Sequence, residues 1–140
     1  MKDLNKSISQ IQGWIWNQAI PNIEDSSYEE CNFYRLHKIP INKYKTEDIY
    51  FMIEQETCLD FLVPMALNIL NDNILIKAED YSGDLLIRIL RLSPEFWSDN
   101  QKYYFKFINI LRKNQESIEN FNFVRSAKSE LNLLLKNYKI

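Results

Sequence analysis

Glycine occurs only twice in 140 residues, at Gly13 and Gly83, and this scarcity narrows the fold more than any other feature. A sheet with several tight hairpins draws on glycine at its turns, above all on Asn-Gly or Asp-Gly pairs. Neither pair occurs in the chain, and there are only 4 prolines. The composition therefore argues for helices joined by short loops. Apolar residues make up 46% of the chain and aromatics 14%, enough material for a core, which argues against disorder. The length fits one domain spanning residues 1–140.

The apolar spacing predicts an all-α protein, a single compact bundle of about six or seven amphipathic helices. Leu4, Ile8, Ile11 and Ile15 form one helical stripe, broken near Pro21 and flanked by Trp14 and Trp16. Ser26 and Glu29 have capping-box spacing, so a second helix is expected to run to about Lys38, ending before Pro40. Thr46 is placed to cap a third, with Glu47 and Asp48 at its positive end.

The most apolar stretch follows, residues 58–70, with Leu59, Leu62, Val63, Ala66, Leu67 and Leu70 at three-and-four spacing. Pro64 interrupts it, so this core helix is expected to be kinked or started at Pro64. Ser82-Gly83-Asp84 begins another helix, and Ser93-Pro94 is a strong cap-and-first-turn signal for the next. That next helix is expected to carry Trp97, Tyr104, Phe107, Ile108 and Leu111. A last one, over about residues 116–138, is expected to carry Ile118, Phe121, Val124, Leu131, Leu134 and Tyr138. Each helix has one apolar stripe, so the helices must pack on one another.

Several functions lose support at this level. The first ten residues lack the apolar run of an export signal, and no stretch approaches the ~20 apolar residues of a membrane span. A cytoplasmic protein with Cys31 and Cys58 reduced and buried is the expectation. His37, the single histidine, has no cysteine or carboxylate pair at ligand spacing, so no metal site or catalytic triad is expected around it. Two distant glycines make no phosphate loop. Glu56 and Asp60 stand one helical turn apart, but paired carboxylates here belong more naturally to a charged surface than to acid–base chemistry. The stretch Lys102-Tyr103-Tyr104-Phe105-Lys106 mixes bases with aromatics, yet Tyr104 and Phe107 are needed in the core, which argues against direct nucleic-acid binding.

Charge is distributed unevenly. The formal net charge is -2, but residues 46–84 hold Glu47, Asp48, Glu54, Glu56, Asp60, Asp72, Glu79, Asp80 and Asp84 against Lys77 alone. Residues 46–76 contain no lysine or arginine. A solvated helix usually mixes both signs. A surface of one sign steers and holds an oppositely charged partner. The same acids can also cap helices, as Glu47, Asp48 and Asp84 are placed to do, or pair with the basic C-terminal third.

Three motifs carry a resemblance: Leu59-Asp60-Phe61-Leu62-Val63-Pro64-Met65-Ala66-Leu67, then Asp80-Tyr81-Ser82-Gly83-Asp84-Leu85-Leu86, then Pro94-Glu95-Phe96-Trp97. In type, order and spacing they resemble the CdiI-type immunity proteins of contact-dependent growth inhibition. That family carries a leucine-rich helix with an internal proline, a Gly-Asp-Leu-Leu helix start and a Phe-Trp pair. Thr46-Glu47-Asp48-Ile49 is similar to the start of the family's middle helix. Ser82 stands where the family often has proline. The likeness covers about the middle 50 residues well and the first helix loosely.

The resemblance implies a non-enzymatic cytoplasmic protein that needs no cofactor. It would bind and block the C-terminal toxin domain of a large surface-delivered effector. Many such toxins are nucleases, which are basic because they bind phosphates, so the acidic stretch would mimic part of the toxin's substrate. The contact candidates are then Glu54, Glu56, Asp60, Asp72, Glu79, Asp80 and Tyr81. Glu79 and Asp80 lead because they lie in a loop, and Tyr81 is either an anchor or a core aromatic. The rival readings are a helical protein-interaction or adaptor module outside toxin systems and, less favoured, a small enzyme with a deep polar pocket.

Overall fold

The computed structural model describes residues 3–13 and 27–140. Among these the regular elements are all helical: α1 (Ile8–Gln12), α2 (Tyr28–Lys38), a 3₁₀ turn (Ile41–Lys43), α3 (Thr46–Glu54), α4 (Leu59–Asp72), α5 (Asp84–Leu90), α6 (Pro94–Asp99), α7 (Gln101–Lys113), α8 (Gln115–Asn120) and α9 (Arg125–Leu135). The only β features among the described residues are two isolated bridges, Ser7 with Pro40 and Lys77 with Ser82. The all-α expectation holds.

Nine described helices exceed the expected six or seven because two long periodic stretches are each divided. Residues 94–113 break at Asn100, whose φ of -135° leaves helical space and whose side-chain amide donates back to the Phe96 carbonyl. The expected last helix breaks over residues 121–124, where Phe121 is extended and Phe123 turns inward with only 6% exposure. Pro64 neither starts nor stops a helix, for α4 runs through it from Leu59 to Asp72. Packing decides this. Leu62, Val63, Ala66, Leu67 and Leu70 of α4 are all fully buried, and that burial outweighs one missing hydrogen bond.

Caps follow local chemistry, sometimes one residue from the expected place. Ser7 and Gln10 form a capping box at α1, and Gly13 ends that helix in the left-handed region at φ 61°. The stripe from Leu4 is therefore helical only from Ile8, while Trp14, Ile15, Trp16, Pro21 and Ser26 lie outside the described residues. Ser27 caps α2 by accepting from the Glu30 N–H. Thr46 is the first residue of α3 rather than its cap; Asp48 closes that end by accepting from the Lys45 N–H at 2.9 Å. Ser93 caps α6 with Pro94 at the first position, as the sequence implies.

α4 packs against α3, α5 and α7, and α5 packs against α3, α4 and α9. Every residue of α5 is buried. His37 is buried too, stacked edge-on against Phe33, with Nδ1–H donating to the Phe33 carbonyl at 2.8 Å. Burial holds its pKa below the usual histidine range, as the neighbouring Lys38 also does, against the raising effect of that carbonyl. Cys31 and Cys58 are not joined in a disulfide, and each is half-buried rather than fully enclosed as expected.

Candidate partner-binding surface

The acidic segment divides into carboxylates used inside the molecule and carboxylates left outside. Asp48, Glu54 and Asp84 are held by an arginine or by backbone amides of the chain. Asp48 is buried and takes Arg35 Nη2 at 3.1 Å. Glu54 takes Arg88 Nη1 at 3.0 Å while staying more than half exposed. Asp84 is 1% exposed and does not cap α5 in the ordinary way. Its carboxylate reaches back to the loop before the helix and accepts four backbone N–H groups, from Ala78 at 2.7 Å, Glu79 at 3.0 Å, Asp80 at 2.8 Å and Tyr81 at 3.4 Å.

That arrangement shapes the 78–81 loop. Its base is closed by the Lys77–Ser82 bridge and by the Gly83 N–H donating to the Ile76 carbonyl at 3.1 Å. Gly83 must be glycine on two counts. Its φ is 92°, and a Cβ there would collide with the Phe123 ring. With the backbone held inward, the side chains of Glu79 and Asp80 stand exposed while Tyr81 is half-buried, packed against the edge of the core.

A second chain of contacts runs beneath the loop. Tyr50 of α3 donates its hydroxyl to Asp80 Oδ2 at 3.3 Å. The Arg88 guanidinium lies 3.7 Å from the centre of the Tyr50 ring and donates Nη1 to the Tyr50 carbonyl at 2.9 Å. Burial pushes the Tyr50 hydroxyl well above the usual phenol range, Arg88 opposing and Asp84 and Asp80 adding to it. Glu79 is likewise raised above the usual carboxylate range, first by partial desolvation, then by the charges of Asp80, Glu47 and Asp84, with Arg88 opposing. Glu47, at the start of α3, therefore belongs electrostatically to this patch.

Of the seven candidates, Glu54, Glu79, Asp80 and Tyr81 are connected through α3, α5 and the 78–81 loop. The other three lie apart. Glu56 occupies the α3–α4 connection at a φ of 54°. Asp60 and Asp72 are in the first and last turns of α4, about 18 Å apart along the axis at 1.5 Å per residue. Among the described residues, Glu47, Glu56, Asp72, Glu79 and Asp80 are exposed and form no ion pair.

Sequence reasoning missed Asp84 as the organiser of the loop, and missed Tyr50 and Arg88 as its underlay. A signal existed: Asp84 and Arg88 are the only charges in an otherwise apolar seven-residue run, and charges in such a run must find partners inside. Among the described residues, no group of three His, Cys, Asp or Glu is placed to hold a metal ion, and no helix is long and apolar enough to cross a membrane.

The fold and this surface define an all-helical protein that presents an outward acidic loop anchored from within by a buried carboxylate. Residues 13–107 match the family model of the CDI immunity proteins, well over half of the chain, and the chain belongs to that family. No curated protein and no solved structure matches it.

Proposed function

We propose that this immunity protein binds its cognate toxin domain directly, as one helical domain in the cytoplasm of the producing cell, and blocks it without catalysis or cofactor. The contact is centred on Glu79 and Asp80, with Glu47, Glu54 and Tyr81 around them, and Glu56, Asp60 and Asp72 as outlying contacts. The observation that carries this reading is the inside–outside division of the acids. The protein buries Asp84 to hold the 78–81 loop, yet leaves Glu79 and Asp80 exposed and, among the described residues, without an ion pair. A partner with a basic cleft matches that charge, and a nuclease, whose cleft must receive phosphates, has one. The acidic loop then stands in for part of the nucleic-acid backbone.

The test is calorimetric titration against the toxin domain encoded next to this gene. Glu79→Lys with Asp80→Lys places like charges against a basic cleft and weakens binding by about 2–4 kcal/mol, with the circular dichroism spectrum unchanged. An unaltered affinity in a folded double variant removes the loop from the interface. A toxin without nuclease activity removes the substrate-mimic element alone.

A further inference from the structure

Glu79 and Asp80 are adjacent and both exposed, yet the fold holds them differently. Asp80 is held at both ends. Its N–H donates to Asp84 at 2.8 Å, and its Oδ2 accepts the Tyr50 hydroxyl at 3.3 Å. The Glu79 N–H also donates to Asp84, at 3.0 Å. Its carboxylate, however, has no hydrogen bond or ion pair among the described residues.

Tyr50 is itself fixed. The Arg88 guanidinium stacks on its ring and donates to its carbonyl, and the Arg88 side chain is only 8% exposed. Asp84 and Arg88 stand one turn apart on the same face of α5. One helix face thus sets the loop backbone through Asp84, and the Asp80 side chain through Arg88 and Tyr50. Tyr50 is buried, so its hydroxyl acts on a partner through Asp80.

We propose that Tyr50 is a positioning residue that makes Asp80 the specificity-determining charge of the loop, while Glu79 steers the partner in. A carboxylate already held in one rotamer loses little freedom when a cation docks on it, and it favours a partner whose cation sits at that place. A carboxylate free to turn loses that freedom on binding and discriminates less. At long range the two act alike, because the field that speeds encounter depends on charge and not on rotamer. This inference rests on the reading of the loop as the toxin contact and refines it: the toxin sets a lysine or arginine against Asp80.

Association and dissociation rates with the toxin domain encoded next to this gene test it, by surface plasmon resonance at about 50 mM and about 300 mM salt. Glu79→Ala and Asp80→Ala are expected to slow association alike, about threefold at the lower salt and less at the higher. Only Asp80→Ala is expected to speed dissociation, by about tenfold. Tyr50→Phe removes no charge and keeps the ring on Arg88. It is expected to leave association unchanged, to speed dissociation about threefold, and to add nothing to Asp80→Ala. A merely structural role for the hydroxyl would show in both backgrounds. Two alanine variants that dissociate equally fast overturn the proposal. So does Tyr50→Phe with unaltered dissociation, or with an effect that persists in the Asp80→Ala protein. In each of these cases slowed association still places the loop at the toxin. If neither alanine variant changes either rate, the loop is not the contact, and the toxin-binding reading falls together with this one. If Tyr50→Phe fails to fold, the dissociation rates of the two alanine variants decide.

Discussion

The N-terminal end of α5 is organised by hydrogen bonds to one carboxylate, the C-terminal end by packed rings. At the first, four backbone N–H groups converge on Asp84. At the second, Trp97 stacks on Phe107 with centroids 5.4 Å apart. Its Nε1–H donates to the Tyr138 hydroxyl at 2.9 Å, which in turn donates to the Leu90 carbonyl at 2.7 Å. The polar end concentrates its order in a single group and turns exposed carboxylates outward. The aromatic end spreads its order over several rings and turns apolar surface outward. One helix therefore carries two surfaces whose tolerance to substitution differs in kind.

Removing the single group should cost most. Asp84→Ala strands the loop amides and is expected to destabilise the protein by about 3–5 kcal/mol. Thermal denaturation gives the loss, and hydrogen exchange at residues 78–81 shows where it falls. A cost below about 1 kcal/mol would mean the two ends are held alike.

Tyr138→Phe leaves the Trp97 Nε1–H and one acceptor site of the Leu90 carbonyl unpaired but keeps the ring packing. The expected loss in urea denaturation is smaller, about 1–3 kcal/mol. Burial pushes the Tyr138 hydroxyl up to about 12, so it remains a donor through the neutral range. A loss matching that of Asp84→Ala would erase the distinction between spread and concentrated order.

The smallest effect is a gain. The folded-state pKa of Glu79 is raised, so ionising this carboxylate works against the fold. That penalty is absent below the unfolded carboxylate pKa and complete above the raised folded one. Glu79→Gln is expected to raise the melting temperature slightly at neutral pH and to lose this advantage in acid, while binding toxin less tightly. Differential scanning at the two pH values checks the sign. An equal shift at both would detach the effect from titration. A residue that costs stability in isolation and contributes in complex is what an interface charge should be.

The fold was legible because its main signals are local. Glycine scarcity, the stripe through residues 59–70 and the Ser93-Pro94 junction each act within one element, and α4 and α6 formed accordingly. The breaks at Asn100 and over residues 121–124 were not legible. No proline or glycine marks them, and the second allows Phe123 to meet Gly83, forty residues away in sequence. Nor could spacing separate inward from outward acids. Glu47 and Asp48 are adjacent, yet one is exposed and the other is buried beside Arg35, a choice made by what packs against α3. By its place at a helix start Asp84 is expected to cap, whereas the amides it accepts precede it in the 78–81 loop.

The meeting of Phe123 with Gly83 reaches past the family boundary. The family match ends at residue 107, while the ring that covers its Gly-Asp motif comes from the connection between α8 and α9. The tail is thus a lid on the motif and not an appendage to it. A chimaera grafting another C-terminal third onto the first 107 residues would need an aromatic at that point, or would leave a void above the glycine and loosen the turn from which the acidic loop springs.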